Sequence, residues 1–293
     1  MRGAERARSP RGSTGRGTVT EVTPKDEDER ALDQLSTLFE EGGAGRVVSF
    51  IQGTADPEQR RKLHGLVRRA LPERSDAKRS LDDVIRIARV GIAEGLRQAE
   101  LARARSDTDE ARECIDFANR LSYNLAADLA ECWPGDDSLR ERRHFEAGLR
   151  AAYDCIVWRQ ELGKPPDRRG MAYWAAGMHQ LSLGNLVEAL SGFEAALGLA
   201  LQAVAAPATK PDGYIRPGGD FGVILYYGYR GIGRHLLGEA SGMRQFEHAL
   251  AAFEETVGSQ DEEAAEDAKF GLDQLRWVGL RFMGAGVGAG PQR

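Results

Sequence analysis

Residues 173–197 read YWAAGMHQLSLGNLVEALSGFEAAL, and residues 227–250 read YGYRGIGRHLLGEASGMRQFEHAL. Tyr173, Gly177 and Gly184 of the first stretch return at one constant offset as Tyr227, Gly231 and Gly238 of the second. The second halves correspond as well, with Ala189, Phe193, Ala196 and Leu197 matched by Gly242, Phe246, Ala249 and Leu250. Within each half the small and large apolar residues recur at three- and four-residue steps, the period of an α-helix, and a glycine divides the halves. Two copies of one pattern mean two copies of one helix-turn-helix unit.

Outward from this duplication the helical period persists. Ala31, Leu32, Leu35, Leu38 and Phe39 share one face over residues 26–41, and Gly42 and Gly43 stop the run. The apolar run Val47 to Ile51 is too short to assign by period, so helix and strand both stay open there. Pro57 opens a helix with Leu63, Leu66, Val67, Ala70 and Leu71 as its stripe, and Pro72 is expected to end it. Ser80 and Asp107 read as caps of two long helices, 80–105 and 107–132, with Pro134 and Gly135 closing the second. Further helices are expected over 138–162 and 262–283, and Pro207, Pro211, Gly213, Pro217, Gly218 and Gly219 forbid regular structure between the duplicates. No region alternates with period two for long enough to make a sheet. The expected fold class is therefore all-α, a stack of antiparallel helical hairpins with about ten helices. Residues 1–24 read as a disordered basic tail, 25–75 as short N-terminal helices, 80–283 as the repeat domain and 284–293 as a flexible tail.

The positions from Tyr173 to Leu197 resemble the tetratricopeptide repeat: an aromatic near the start, Gly177 where the helices approach, Gly184 and Asn185 in the turn, then Ala189 and Phe193. Ala176 and Gln180 depart from that pattern, as do Arg230, Arg234 and Gly242 in the second copy, where one residue is missing in the turn. A partial earlier copy places Ala99, Ala111, Ile115 and Ala118 at equivalent positions. The resemblance implies a tetratricopeptide-like α-solenoid whose first helices line a concave groove, and a non-catalytic scaffold or adaptor that binds a protein or peptide there. The groove positions it implies are Met171, Trp174, Met178, Leu181 and Ser182, then Leu225, Gly228, Ile232, His235 and Leu236 in the second copy. That strip is apolar and fits an amphipathic helix or an extended apolar peptide. The alternative, that Trp174 and Met178 are core residues under a neighbouring helix, stands beside it. Neither copy carries the lysine and asparagine with which chaperone-docking relatives hold a terminal carboxylate. Tyr214 and Arg216, in the insertion between the copies, are expected as loop contacts.

The composition narrows the function classes. With 293 residues, 41% of them hydrophobic, the chain can bury a proper core. Its net charge of -5 argues against a whole molecule built for nucleic acid or membrane surfaces. Residues 57–105 nevertheless hold thirteen Lys or Arg against seven acids, and Arg60, Arg61, Lys62, Arg68 and Arg69 offer an alternative, a nucleic-acid-associated regulatory role. Residues 239–267 hold nine acids and one base, Arg244, so the two ends of the chain differ in sign. That asymmetry fits self-association, separate partners, or two solvated faces. Cys114, Cys132 and Cys155 are too widely spaced for a zinc site, and an odd count does not make a disulfide framework; reduced thiols and a cytoplasmic location are expected. His64, His144, His179, His235 and His248 include no pair at ligand spacing, and the Gly228, Gly231 and Gly233 cluster follows no strand. No enzyme activity and no cofactor are expected. Residues 170–187 carry no formal charge, but His179, Gln180, Ser182 and Asn185 interrupt them, so no membrane insertion is expected. Residues 1–20 carry five arginines without an apolar centre, so no signal peptide is expected, and a valine-coded start at Val19 or Val22 is compatible with the sequence.

Overall fold

The computed structural model of the protein describes residues 24–74, 80–136, 138–204 and 219–284. Of the tails expected over residues 1–24 and 284–293, residues 1–23 and 285–293 lie outside the described residues, as do the loop contacts Tyr214 and Arg216, while Pro24 belongs to the first helix. Ten α-helices are present, and no strand occurs among the described residues. They are α1 (Pro24–Gly53), α2 (Pro57–Arg74), α3 (Leu81–Ala104), α4 (Thr108–Leu129), α5 (Arg142–Glu161), α6 (Pro166–Ser182), α7 (Leu186–Ala203), α8 (Phe221–Leu236), α9 (Ala240–Val257) and α10 (Glu262–Met283).

Local chemistry accounts for most boundaries. Ser80, Asp107, Asp220 and Asp261 each accept a hydrogen bond from the backbone N–H three residues on, satisfying a donor that the first helical turn leaves free. Gly42 and Gly43 leave helical geometry inside α1, with Gly43 at φ +62°, and break it into two helices. Val47 to Ile51 belongs to the second of these and is helical, because Val47, Val48 and Ile51 bury against Leu35, Phe39, Leu63 and Val67. Pro72 does not end α2, which runs two residues further. Helix α4 stops at Leu129, short of Pro134, and α5 starts only at Arg142, where Glu141 and His144 close a reciprocal cap.

Neighbouring helices pair in order: α1 with α2, α3 with α4, α6 with α7 and α8 with α9. Helices α4, α6, α8 and α10 also touch one another in succession, whereas α5, α7 and α9 make no comparable contact among themselves. The stack is therefore an α-solenoid that curves with α4, α6, α8 and α10 on its inner face. One apolar core runs from Val84 through Leu125, Met178, Phe193, Tyr229 and Phe246 to Val278, and the α1–α2 cluster joins the stack on α3 through Ile87.

The two duplicated units share one conformation. Gly184 and Gly238 take φ values of +83° and +82°, and each turn closes with the same backbone bond, Asn185 N to Gln180 O and Glu239 N to Arg234 O, both at 2.9 Å. The turns are thus equal in length. The one-residue difference expected in the turn falls instead in the first turn of α9, where Gly242 crosses α8 one residue sooner than Ala189 crosses α6. The α8–α9 approach is the tighter of the two. A Cβ on Gly242 would lie 2.2 Å from His235 N, and one on Gly231 would lie 2.6 Å from Phe246 N, both backbone atoms. Gly242 is therefore a requirement of the second crossing and not a degraded alanine.

Helix α7 is long and apolar enough, by length and composition, to cross a membrane, a feature the sequence reading passed over while weighing residues 170–187. In this fold it lies between α6 and α8 with Ala189, Phe193, Ala196, Leu197, Leu199 and Ala200 buried.

His64 and His179 are buried in the stack. His179 Nε2 lies 2.9 Å from the Ala126 carbonyl oxygen, while neither ring nitrogen of His64 has a partner. Burial pushes each imidazole down to about 4 from an ordinary 6.5.

Gly242→Ala forces backbone from backbone and is expected to cost about 3 kcal/mol, at or above the roughly 1–3 kcal/mol expected for overpacking in Ala189→Leu, both read from urea midpoints. Between pH 6.5 and 4 the folded state binds fewer protons than the unfolded chain at both histidines, so stability falls as pH drops through that window. Each histidine contributes on the order of 3 kcal/mol, and His64→Leu is expected to flatten the measured dependence.

A candidate binding cleft on the inner face

Seven aromatic side chains form one chain of ring contacts across the solenoid. Phe193 meets Tyr229 at 5.2 Å between centroids, Tyr229 meets Trp174 at 6.0 Å, and Trp174 meets Trp133 edge-on at 6.2 Å. Trp133 then meets Phe270 at 6.0 Å, Phe270 stacks on Phe221 at 6.5 Å, and Phe221 meets Phe253 at 5.6 Å. The chain thus links α7, α8, α6, the α4–α5 connection, α10 and α9. Such pairs stabilise by roughly 0.5–1.5 kcal/mol beyond their burial.

Trp133 is held in place by its own segment. Its indole N–H donates to Ala127 O at 2.7 Å. Arg140, its side chain 2% exposed, donates to the Leu129, Asp128 and Ser138 carbonyls and pairs with Asp136, folding the connection back on itself. From α10, Arg281 pairs with the buried Glu131, beside Trp133. The last helix is therefore fastened across the inner face to the α4–α5 connection.

This arrangement corrects the expected groove. Trp174, Met178, Leu181 and Ile232 are buried in the core, as are Leu225 and Gly228, the latter against Leu275 of α10. Met171, Ser182 and His235 are half-buried. The physical reason is plain: a strip apolar enough to attract a peptide is apolar enough to be buried by the chain's own neighbours, here Trp133 on Trp174 and Leu275 of α10 on Gly228.

What stays open is a cleft of about 610 Å³. Its apolar and aromatic lining comes from Tyr123, Trp133, Met171, Trp174, Ala200, Ala203, Phe221, Leu225, Tyr226 and Phe270. Asp167, Arg168, Asp220 and Asp267 stand around it, with Gln274 among the lining residues. Sequence reading reached Met171 and Trp174. It missed Trp133 and Phe221, isolated aromatics at a helix break and a helix start, and Phe270, which reads as one more apolar residue within the expected last helix.

The polar groups here are unevenly satisfied. Arg159 is buried, stacks over the Tyr123 ring at 4.4 Å and donates to Asn119 Oδ1 at 3.2 Å and to Arg168 O, with no carboxylate in ion-pair range among the described residues. Burial pushes the Tyr123 phenol up to about 12 against the opposing pull of Arg159, and burial raises Tyr226 as well, so both hydroxyls stay protonated. Trp174 Nε1, Tyr229 Oη and Gln274 Oε1 are buried without a hydrogen bond of good geometry. The indole of Trp174 lies near enough to the Tyr229 hydroxyl to ease its ionisation slightly, but burial raises that phenol far more.

Burial pushes Cys114 and Cys155 up to about 11 and raises Cys132 too, so none is a ready thiolate. Among the described residues no group of three or more His, Cys, Asp or Glu is arranged to hold a metal ion.

The basic helices tell a different story from their sequence. Arg60 pairs with Glu94 at 2.6 Å, Arg61 with Glu110 at 2.9 Å, Lys62 with Asp28 at 2.7 Å and Arg68 with Asp128 at 2.9 Å. Burial opposes ionisation of Glu94, but hydrogen bonds from Arg97, Gln98 and Arg60 outweigh it and hold the carboxyl at about 2. The described cations of α2 are paired with acids of α1, α3 and α4, and the side chains of Arg69 and Arg74 lie outside the described residues.

No family model matches the chain, and no curated protein matches it.

Arg281→Ala leaves the Glu131 carboxylate, 8% exposed, without its partner. The expected cost is about 1–3 kcal/mol, with faster amide exchange across α10 than across α6. Equal exchange in the two helices would show that α10 is held by other contacts.

Proposed function

We propose that this chain is a non-catalytic, tetratricopeptide-like scaffold or adaptor that binds a partner protein through a peptide segment seated between α6, α8 and α10. One observation carries this: an open cleft of about 610 Å³ whose lining is largely aromatic and aliphatic, within the size range of specific ligand sites. Phe270 is 46% exposed at its edge, apolar surface that a bound segment would remove from water. A cytoplasmic setting accords with three buried free thiols. A role with nucleic acid through residues 57–105 is less favoured, because the described α2 cations are already paired.

Trp133 and Trp174 line the cleft and report its occupancy by their fluorescence. Titration with pools of a random peptide library is expected to shift their emission for a subset of pools. Phe270→Ser and Met171→Ser are expected to weaken that binding by about tenfold or more, with cooperative unfolding retained in both and a lower melting temperature in Phe270→Ser, which loses its ring contacts with Trp133 and Phe221. Binding that ignores both substitutions, or no binding by any pool, would overturn the assignment.

A further inference from the structure

Resting on that reading, we propose that the bound segment inserts a lysine or arginine at the α10 end of the cleft, between Asp220 and Asp267 and against Phe221 and Phe270. Asp267, Phe270 and Gln274 lie at three- and four-residue steps on α10 and all line the cleft, so one face of this helix presents a carboxylate, a ring and an amide together. Asp220 reaches the same space from the cap of α8, giving one oxygen to the Val223 N–H at 3.0 Å. Among the described residues neither carboxylate has a cation within ion-pair distance.

Charge favours a cation at this end alone. Asp267 also borders an adjoining hollow of about 460 Å³ that adds Glu255 and Asp261, so the negative field continues outward. The cations near the cleft lie toward α6: Arg168, 3.6 Å from Asp167, and Arg159, behind the Tyr123 ring. An anionic residue would face the Asp220 and Asp267 carboxylates, and a cation at the α6 end would face the arginines.

The neighbouring surface fits the rest of such a side chain. Phe221 and Phe270 stack at 26° and offer ring surface to an apolar stem and to a positive head. Gln274 Oε1, in a residue 1% exposed, is an acceptor with no donor. Ammonium and guanidinium groups carry donors only, so the ligand supplies what the two carboxylates lack.

A positional-scanning library of acetylated peptides, fixed in turn as lysine, arginine, norleucine or glutamate, tests this by tryptophan fluorescence. The wild-type chain is expected to bind lysine or arginine pools about tenfold more tightly than norleucine pools, with a preference that shrinks as salt rises. In the double variant Asp220→Asn, Asp267→Asn the preference is expected to vanish, while norleucine pools bind as before. Asparagine at position 220 keeps the α8 cap, so folding is retained. Equal binding of lysine and norleucine pools that still depends on Phe270 would overturn the cation while leaving a peptide cleft in place. No binding by any pool would remove the peptide cleft itself. Displacement by free butylammonium at the concentration of the lysine pools would assign the end to a small organic cation and overturn the peptide.

Discussion

At the crossing of α8 and α9, backbone meets backbone with no room for a methyl group, and much of the fold depends on that closeness. Gly231 and Gly242 let the two helices approach until Phe246 is fully buried beside them, while Tyr229 packs on Phe193 and Trp174 from α8. The α6–α7 crossing uses the same device with Gly177, Gly192 and Ala189, where a Cβ on Gly177 would press on the Phe193 ring at 2.7 Å. A hairpin of two short helices buries too little apolar surface to stand alone. Its small residues set the spacing at which the next hairpin fits, and repetition of that spacing bends the stack.

The bend decides what the inner face becomes. Because α4, α6, α8 and α10 touch in sequence while the outer helices spread, the α4–α5 connection and the last helix come within reach of each other. Trp133 and Phe270 occupy the space that an open concavity would leave, and the Glu131–Arg281 pair fixes their approach. The result is a short aromatic cleft in place of a long groove, with its carboxylates contributed by the α8 cap and α10.

Helix periodicity and turn chemistry were legible in the sequence, because both are local. The duplicated glycines at 184 and 238, the caps at Ser80 and Asp107 and the limits of α10 at Glu262 and Met283 all follow from residues within one or two turns of each other. Burial was not legible in the same way. An apolar strip at Met178, Leu181 and Ile232 has the same sequence signature whether solvent, a ligand or another helix lies over it, and here it is core. The charges of α2 were misleading for a related reason: Glu94, Glu110 and Asp128, which neutralise them, sit on helices distant in sequence. Phe270 and Gln274 entered the cleft only through the curvature of the whole stack, which no single window of sequence encodes.

The Glu131–Arg281 fastening has a thermodynamic consequence. In an ordinary repeat array each unit holds only its neighbours, so terminal units peel away one at a time and stability adds up locally. Here the final helix is tied back to a point 150 residues earlier in the chain, and a zipper becomes a buckled belt. Helices α5 to α9 are enclosed between the two ends of that belt, so loosening any one of them works against the clasp, and the enclosed stretch gains all-or-none character at the expense of a slower, long-range closing step.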